Sequence, residues 1–371
     1  MRAEGILRRL LERETSEIHA RRVRAVVSAV VALVLGGEIV LSRLGRAVAG
    51  RTTMKHGIKR IDRLFGNGQL REERHVFYRA IARKVIGRQL RPVVLVDWTE
   101  AGKKACVLAA AVAFEGRAVI IYSEAHPLSR YTSSRVETEF LRKLTDLLPE
   151  NCRPIIVTDA GFRAPWLRKV LGLGWDYVGR VRGRTLVRPA AGGDWRRYYE
   201  LYSRARIEAR DLGQWEVNRS APYTCRLVTV RRRRRWVPID RALAQRSRER
   251  AIAATREPWL LVTSLRRSSA KRVVAIYKLR MQIEETFRDA KSHRFGWSFD
   301  EAAPRRWKRI DVMMLLIALA AVVVLAVGKA AEVANLHLAY QANTIRTRRV
   351  LSLATLGRLI LLRLATAPHS I

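Results

Sequence analysis

Pro92 to Glu100 reads PVVLVDWTE. A proline opens the stretch, a β-branched apolar run follows, and Asp97 sits where the run ends. That pattern predicts a short buried strand. It recurs at Pro154 to Phe162, PIIVTDAGF, where Asp159 takes the same place. A strand buried in a sheet delivers the residue at its C-terminal end to the sheet's edge. Two such strands side by side set two carboxylates together, a pair that repels itself unless a cation lies between. Outward from these, KACVLAAAVAF (Lys104 to Phe114), the turn Glu115-Gly116 and RAVIIY (Arg117 to Tyr122) predict a hairpin. Thr132 to Leu148 and Trp166 to Leu171 read as helices, and WDYVGRVRG (Trp175 to Gly183) and WLLVTSL (Trp259 to Leu265) as strands. Strands alternating with helices give an α/β fold built on a mixed sheet.

Composition narrows the function. The chain has 371 residues, with 72 Lys+Arg against 33 Asp+Glu and a formal net charge of +39. Such a surface repels itself unless a polyanion shares its field, which leaves nucleic acid or an anionic membrane. A hydrophobic share of 49% excludes bulk disorder. Three widely spaced cysteines, Cys106, Cys152 and Cys225, exclude a disulfide scaffold, and reduced cysteines fit the cytoplasm. The uncharged run Val312 to Gly328 is 17 residues long, at the lower edge of a bilayer span. It reads as a buried core helix, and the protein as one that does not enter the membrane. The N-terminal segment mixes charges of both signs and has no signal-peptide hydrophobic region.

The third element of the chemistry lies in YKLRMQIEETFRDAK, Tyr277 to Lys291. As one helix from about Ser268 to His293, it places Tyr277, Arg280, Glu284 and Lys291 at about 0°, 300°, 340° and 320°, with Arg288 at about 20°. Glu285 falls about 80° round and points elsewhere. One carboxylate among basic groups on one face suits a metal-assisted reaction on a phosphodiester. The pentaarginine Arg231, Arg232, Arg233, Arg234 and Arg235 reads as a stretch that tracks phosphates and steepens the salt dependence of DNA binding. Met54 to Leu70 is a basic amphipathic stretch ending in the turn signal Gly66-Asn67-Gly68, and reads as a helical module on DNA.

Together, Asp97, Asp159 and the Y-x2-R-x3-E-x6-K spacing resemble the DDE transposases of bacterial insertion sequences, in the subgroup that carries that signature. The resemblance runs from about Arg91 to Val327. Many relatives carry Asp-Arg-Gly-Phe in the second motif, where this chain has Asp159-Ala160-Gly161-Phe162. The resemblance implies a ribonuclease-H-like sheet flanked by helices, interrupted by an inserted β-rich module. The expected organisation is a helical DNA-binding region at 1–90, catalytic halves at 91–183 and 258–335, the insertion at 184–257 and a helical C-terminal region at 336–371. It also implies that Asp97, Asp159 and Glu284 bind two Mg²⁺ ions, for which Mn²⁺ substitutes. Such a two-metal clamp serves both the attacking and the leaving oxygen of an in-line displacement. Water first cuts at the element's end, and the freed 3′-OH then attacks target DNA. Tyr277, Arg280, Arg288 and Lys291 would hold phosphates. Some relatives pass through a DNA hairpin with a flipped base held by an aromatic side chain, for which Trp195, Trp215 and Trp236 are candidates.

The expected partners are therefore double-stranded DNA, both the terminal inverted repeats and the target, with two copies of the chain joining two element ends. Leu351, Leu353, Leu356, Ile360 and Leu361 on the C-terminal helix are candidates for that contact, or for packing within the chain. The expected place is the bacterial cytoplasm, at the nucleoid. A ribonuclease-H-like nuclease or resolvase, and a catalytically inactive DNA-binding relative, are the competing readings.

Overall fold

The computed structural model describes residues 3–50, 52–231, 257–293, 296–302, 304, 306–342 and 344–366. The chain divides into two compact units. The first holds Met1–Leu90, Val96–Cys152 and Met281–Ile371, and the second holds Arg91–Leu95 and Arg153–Arg280.

The first unit begins with helices α1 (Ala3–Leu11), α2 (Ala20–Gly36), α3 (Leu41–Ala47), α4 (Met54–Phe65) and α5 (Gly68–Ile86). Each stop has a local cause. Gly37 takes φ 79° and caps α2 in the left-handed region. Asn67 starts α5, its side chain accepting the Leu70 N–H at 2.8 Å. Between α3 and α4 two glycines let backbones touch: a Cβ on Gly57 would stand 2.2 Å from the Gly45 carbonyl oxygen.

Strand β1 (Val93–Ala101) contributes to both units. In the first, β2 (Ala105–Phe114) and β3 (Arg117–Pro127) form the antiparallel hairpin expected from Glu115-Gly116. Both turn residues have positive φ, 45° and 92°, as a tight hairpin turn requires. The strand order is β3-β2-β1, followed in sequence by α6 (Ser134–Leu147).

The second unit carries a mixed sheet. Its strands are β4 (Ile155–Val157), β5 (Asp176–Arg180), β6 (Leu186–Pro189), β7 (Arg196–Arg197), β8 (Arg210–Val217), β9 (Tyr223–Val230) and β10 (Trp259–Thr263), in the order β1-β4-β5-β10-β9-β8-β6-β7. The β1, β4 and β5 segments run parallel, with Leu95 opposite Val157 and Val157 opposite Val178. The remaining pairs are antiparallel. Helices α7 (Ala164–Gly172) and α8 (Ala270–Lys278) pack on β5, and α8 also on β8 and β9. The fold is the mixed α/β class expected, a sheet flanked by helices.

Three helices complete the first unit after α9 (Met281–Lys291): α10 (Lys308–Val333), α11 (His337–Tyr340) and α12 (Leu353–Thr366). The apolar run lies in α10. It is long and apolar enough to cross a membrane, yet 89% of its most apolar 18-residue stretch is buried inside the protein. Helices α2, α5 and α12 and strand β3 cover it. At its crossing with α12, a Cβ on Gly357 would lie 1.9 Å from the Val324 carbonyl oxygen. Leu353, Leu356, Ile360 and Leu361 are buried in this packing. Of the two readings of the C-terminal leucines, packing within the chain is therefore what these four do.

Two expectations need correction. Asp97 is not at a strand end, because β1 pairs with β4 only over Val93–Leu95 and then continues to Ala101 beside β2. The single helix from Ser268 to His293 is also broken. Helix α8 ends at Lys278 and α9 begins at Met281. At the break, the Arg280 N–H bonds to the Tyr277 carbonyl, three residues back rather than four. Neither glycine nor proline marks this point. Helix α8 is held on β5, β8 and β9, while α9 is held on β2 and β3, so tertiary packing overrides local propensity.

Candidate active site

In the second unit, β4 ends at Val157 and Asp159 follows two residues on. Its Oδ1 accepts the Gly161 N–H at 2.8 Å, a turn that fixes the carboxylate. A side chain at 161 would meet that oxygen at 3.0 Å. Because Val157 lies opposite Val178 in a parallel pair, continuing the register brings Asp159 level with Arg180 on β5.

Arg180 was not singled out from the sequence. Its side chain is only 12% exposed. Its Nη2 lies 3.3 Å from Glu257, a carboxylate that also takes Arg182 at 2.6 Å. One carboxylate thus balances two guanidinium groups, and the buried Nε of Arg180 has no hydrogen-bond partner among the described residues. Burial lowers its pKa, against the pull of Tyr277 and Glu257.

Tyr277 sits on the buried face of α8, its ring edge-on to Trp259 at 4.8 Å. Burial raises its pKa, while the nearby Arg280 and Arg180 oppose the rise and Asp159 adds to it. Tyr277 thus feels one carboxylate, Asp159, and two guanidinium groups, Arg180 and Arg280.

In the first unit, the Asp97 Oδ1 accepts the Trp98 N–H at 2.9 Å. Helix α9 is oriented by three side chains on one face. Gln282 accepts the Phe114 N–H at 2.9 Å, Thr286 bonds both the N–H and the C=O of Ala118, and Asp289 pairs with Arg117 at 2.6 Å. Ile283, Phe287 and Ala290 are buried. The remaining face carries Glu284, Arg288 and Lys291, within an arc of about 60° at 100° per residue. The one-face arrangement expected for the whole signature thus holds within α9, whereas Tyr277 and Arg280 precede the break. Arg288 is 68% exposed and bonds Glu285 at 2.8 Å. Glu285 does not simply point away, since it holds one of the cations expected on DNA.

Arg231 is exposed at the end of β9, its N–H bonded to the Arg206 carbonyl. Arg232, Arg233, Arg234, Arg235 and Trp236 lie outside the described residues. Trp215 is a core residue, 3% exposed, its Nε1 donating to the Leu212 carbonyl. Trp195 lies under the Arg188 guanidinium at 4.8 Å.

Asp97 and Glu284 belong to the first unit and Asp159 to the second. Among the described residues no group of three or more His, Cys, Asp or Glu side chains stands in a geometry that could hold a metal ion. Asp97, Asp159 and Glu284 are each a carboxylate, the kind of oxygen donor that a hard divalent cation takes.

Residues 88–323, nearly two-thirds of the chain, match the family model of the transposase DDE domain. The chain belongs to that family. No curated relative matches the sequence. Among solved structures, this DDE-domain chain is similar to a piggyBac transposase synaptic complex with hairpin DNA. The identity is 10% and the TM-score 0.41, covering 98% of this chain and 78% of the other. That likeness is too distant to assign residues. The matched span of the DDE domain holds Asp97, Asp159, Arg180, Tyr277, Arg280 and Glu284. A sequence cue for Arg180 existed in its place two residues before Arg182 on an apolar strand, but its proximity to Asp159 depends on the β4–β5 register.

Proposed function

We propose that this chain is a DNA transposase that cuts at the ends of an insertion sequence and joins the freed 3′-OH to target DNA. The observation that carries this reading is the match of residues 88–323 to the transposase DDE domain, a span that holds Asp97, Asp159, Arg180, Tyr277, Arg280 and Glu284. Asp97, Asp159 and Glu284 would hold the divalent cations, Mg²⁺ or Mn²⁺. Bound there, such ions stabilise the attacking and leaving oxygens of phosphodiester displacement. Arg280 offers phosphate a planar fork and Lys291 a point charge, so the first orients and the second attracts. Tyr277, near Arg280, orients that fork. Arg288, Arg231 and the four arginines after it extend the contact along the duplex.

The N-terminal helices would bind the element's ends. On α4, Lys55, His56, Lys59 and Arg63 are exposed, and none has a carboxylate partner among the described residues. Arg60 is instead turned back to Ser28 and the Val48 carbonyl. Transposition joins two ends, so two copies act on one DNA. The reading places the protein in the bacterial cytoplasm, on the nucleoid.

The test is incubation of purified protein with supercoiled plasmid carrying paired inverted repeats, with Mg²⁺ or without it. Metal-dependent cleavage followed by joining of the 3′ end to a second DNA is expected. Cleavage without joining would make the protein a nuclease. Binding without cleavage even in Mg²⁺ would make it an inactive relative.

The Arg288–Glu285 pair gives a sharper local expectation. An exposed pair of this kind contributes about 0–1 kcal/mol. Glu285→Ala should therefore lower the cleavage rate by about fivefold at most. Glu284→Ala should abolish it, and equal losses in two folded proteins would exclude the proposed register of α9.

A further inference from the structure

Outside the carboxylate set, the first unit carries a row of aromatic rings. Tyr131 lies 5.5 Å from Trp98, Trp98 lies 6.0 Å from His126, and His126 stacks on Trp307 at 6.3 Å with 20° between planes. The middle of the row is rigid. Trp98 is buried, and its Nε1 donates to Glu137 at 3.2 Å. His126 Nε2 stands 3.3 Å from Glu124. The ends reach solvent: Tyr131 is 44% exposed and Trp307 half-buried.

Cations flank both ends. Arg130 precedes Tyr131, and Arg306 and Lys308 bracket Trp307, the Lys308 Nζ lying 5.9 Å above its ring. All three are exposed, and none has a carboxylate partner among the described residues. Proteins that hold unpaired nucleic acid combine these two elements, ring faces for bases and cations for the backbone. A duplex offers a flat ring no base face, because its bases are already stacked on each other.

We propose that Tyr131 and Trp307, backed by Trp98 and His126 and flanked by Arg130, Arg306 and Lys308, form a shelf that stacks the bases of an unpaired DNA strand. The shelf rests on the reading of this chain as a DNA-processing protein. It would take the strand that DNA processing leaves without its complement.

The full chain is titrated, without metal, against a labelled short oligothymidylate and against a labelled duplex of equal length. Base–aromatic stacking contributes about 1–3 kcal/mol per base, so Tyr131→Ala should weaken single-strand binding about tenfold and leave duplex binding unchanged. Trp307→Leu should do the same. Lys308→Gln and Arg306→Gln should each lower the slope of log affinity on log salt by about 0.7 for the single strand. Tyr131→Ala should leave that slope alone. Tyr131 is exposed enough that its loss spares the core, and thermal unfolding checks both aromatic variants. Unchanged single-strand affinity in folded Tyr131→Ala, or equal loss on both DNAs, would overturn the shelf. A protein that binds single strands through these residues yet never cleaves plasmid would overturn the transposase reading and leave the shelf standing.

Discussion

Alanine in place of Asp97, Asp159 or Glu284, one at a time, is expected to lower strand cleavage by about 10⁴-fold or more, as removal of one member of a cooperating catalytic set does. Duplex binding should persist in all three, because affinity for DNA comes from the cations that meet phosphates. Each substitution removes a negative charge from a strongly basic protein, so binding should if anything tighten. The variants should also fold. Asp97 and Asp159 each accept a backbone N–H from a near neighbour, and helix α9 is held on its strands by Gln282, Thr286 and Asp289 rather than by Glu284 alone, so thermal unfolding of each variant checks the fold. The measurement is single-turnover cleavage of end-containing DNA beside a mobility-shift titration. Full cleavage in any one variant would remove that carboxylate from the active site.

Glu124→Gln should be the most destabilising of the substitutions considered, and its cost should depend on pH. Glu124 is 4% exposed on β3. Tyr122 donates to it at 2.6 Å and Lys143 at 2.7 Å, His126 stands at 3.3 Å, and Arg74 lies 3.8 Å from both it and Asp311. Burial by itself would raise its pKa. The contacts from His126, Lys143 and Tyr122 overcome that and bring it from 4.5 down to about 2. A pKa depressed in the folded state means stability that is present above the unfolded value and lost as pH falls through the folded one. That displacement corresponds to about 3 kcal/mol. The variant should be less stable than the parent by about that amount at neutral pH. The difference should shrink as pH falls from about 4.5 towards 2. Denaturant unfolding at several pH values reads this directly, and a pH-independent difference would remove the ionised carboxylate as the cause. Asp311 accepts the Ala125 N–H at 2.9 Å, so its removal should disturb the same buried group of charges.

Some of this was legible in the sequence and some was not, for physical reasons. The β2–β3 hairpin was legible because a short turn closed by Gly116, which takes φ 92° freely, separates two apolar runs. The apolar helix α10 was legible because nothing else buries seventeen uncharged residues so economically. Asp97 and Asp159 stood out because an acid at the close of an apolar run is uncommon. That Asp97 lies within a strand was hidden, since the apolar run stops at Val96 while β1 continues to Ala101 beyond its pairing with β4. The break between α8 and α9 was hidden as well: Leu279 and Arg280 are good helix formers, and only the different surfaces holding the two helices separate them. Arg180 was hidden because its meaning depends on which strand lies beside it, and pairing of distant strands leaves no local mark.

The all-round burial of α10 has a consequence for synthesis. Its partners α2 and β3 leave the ribosome long before it does, α2 ending at Gly36 and α10 at Val333 of 371 residues. At about 5–20 residues per second that delay is about 15–60 seconds. Throughout it the apolar faces of α2, α5 and β3 lack the helix that covers them in the finished protein. The first unit therefore closes only after α10 has been made. Until then the nascent chain depends on dilution or on a chaperone to keep those faces from meeting those of another chain.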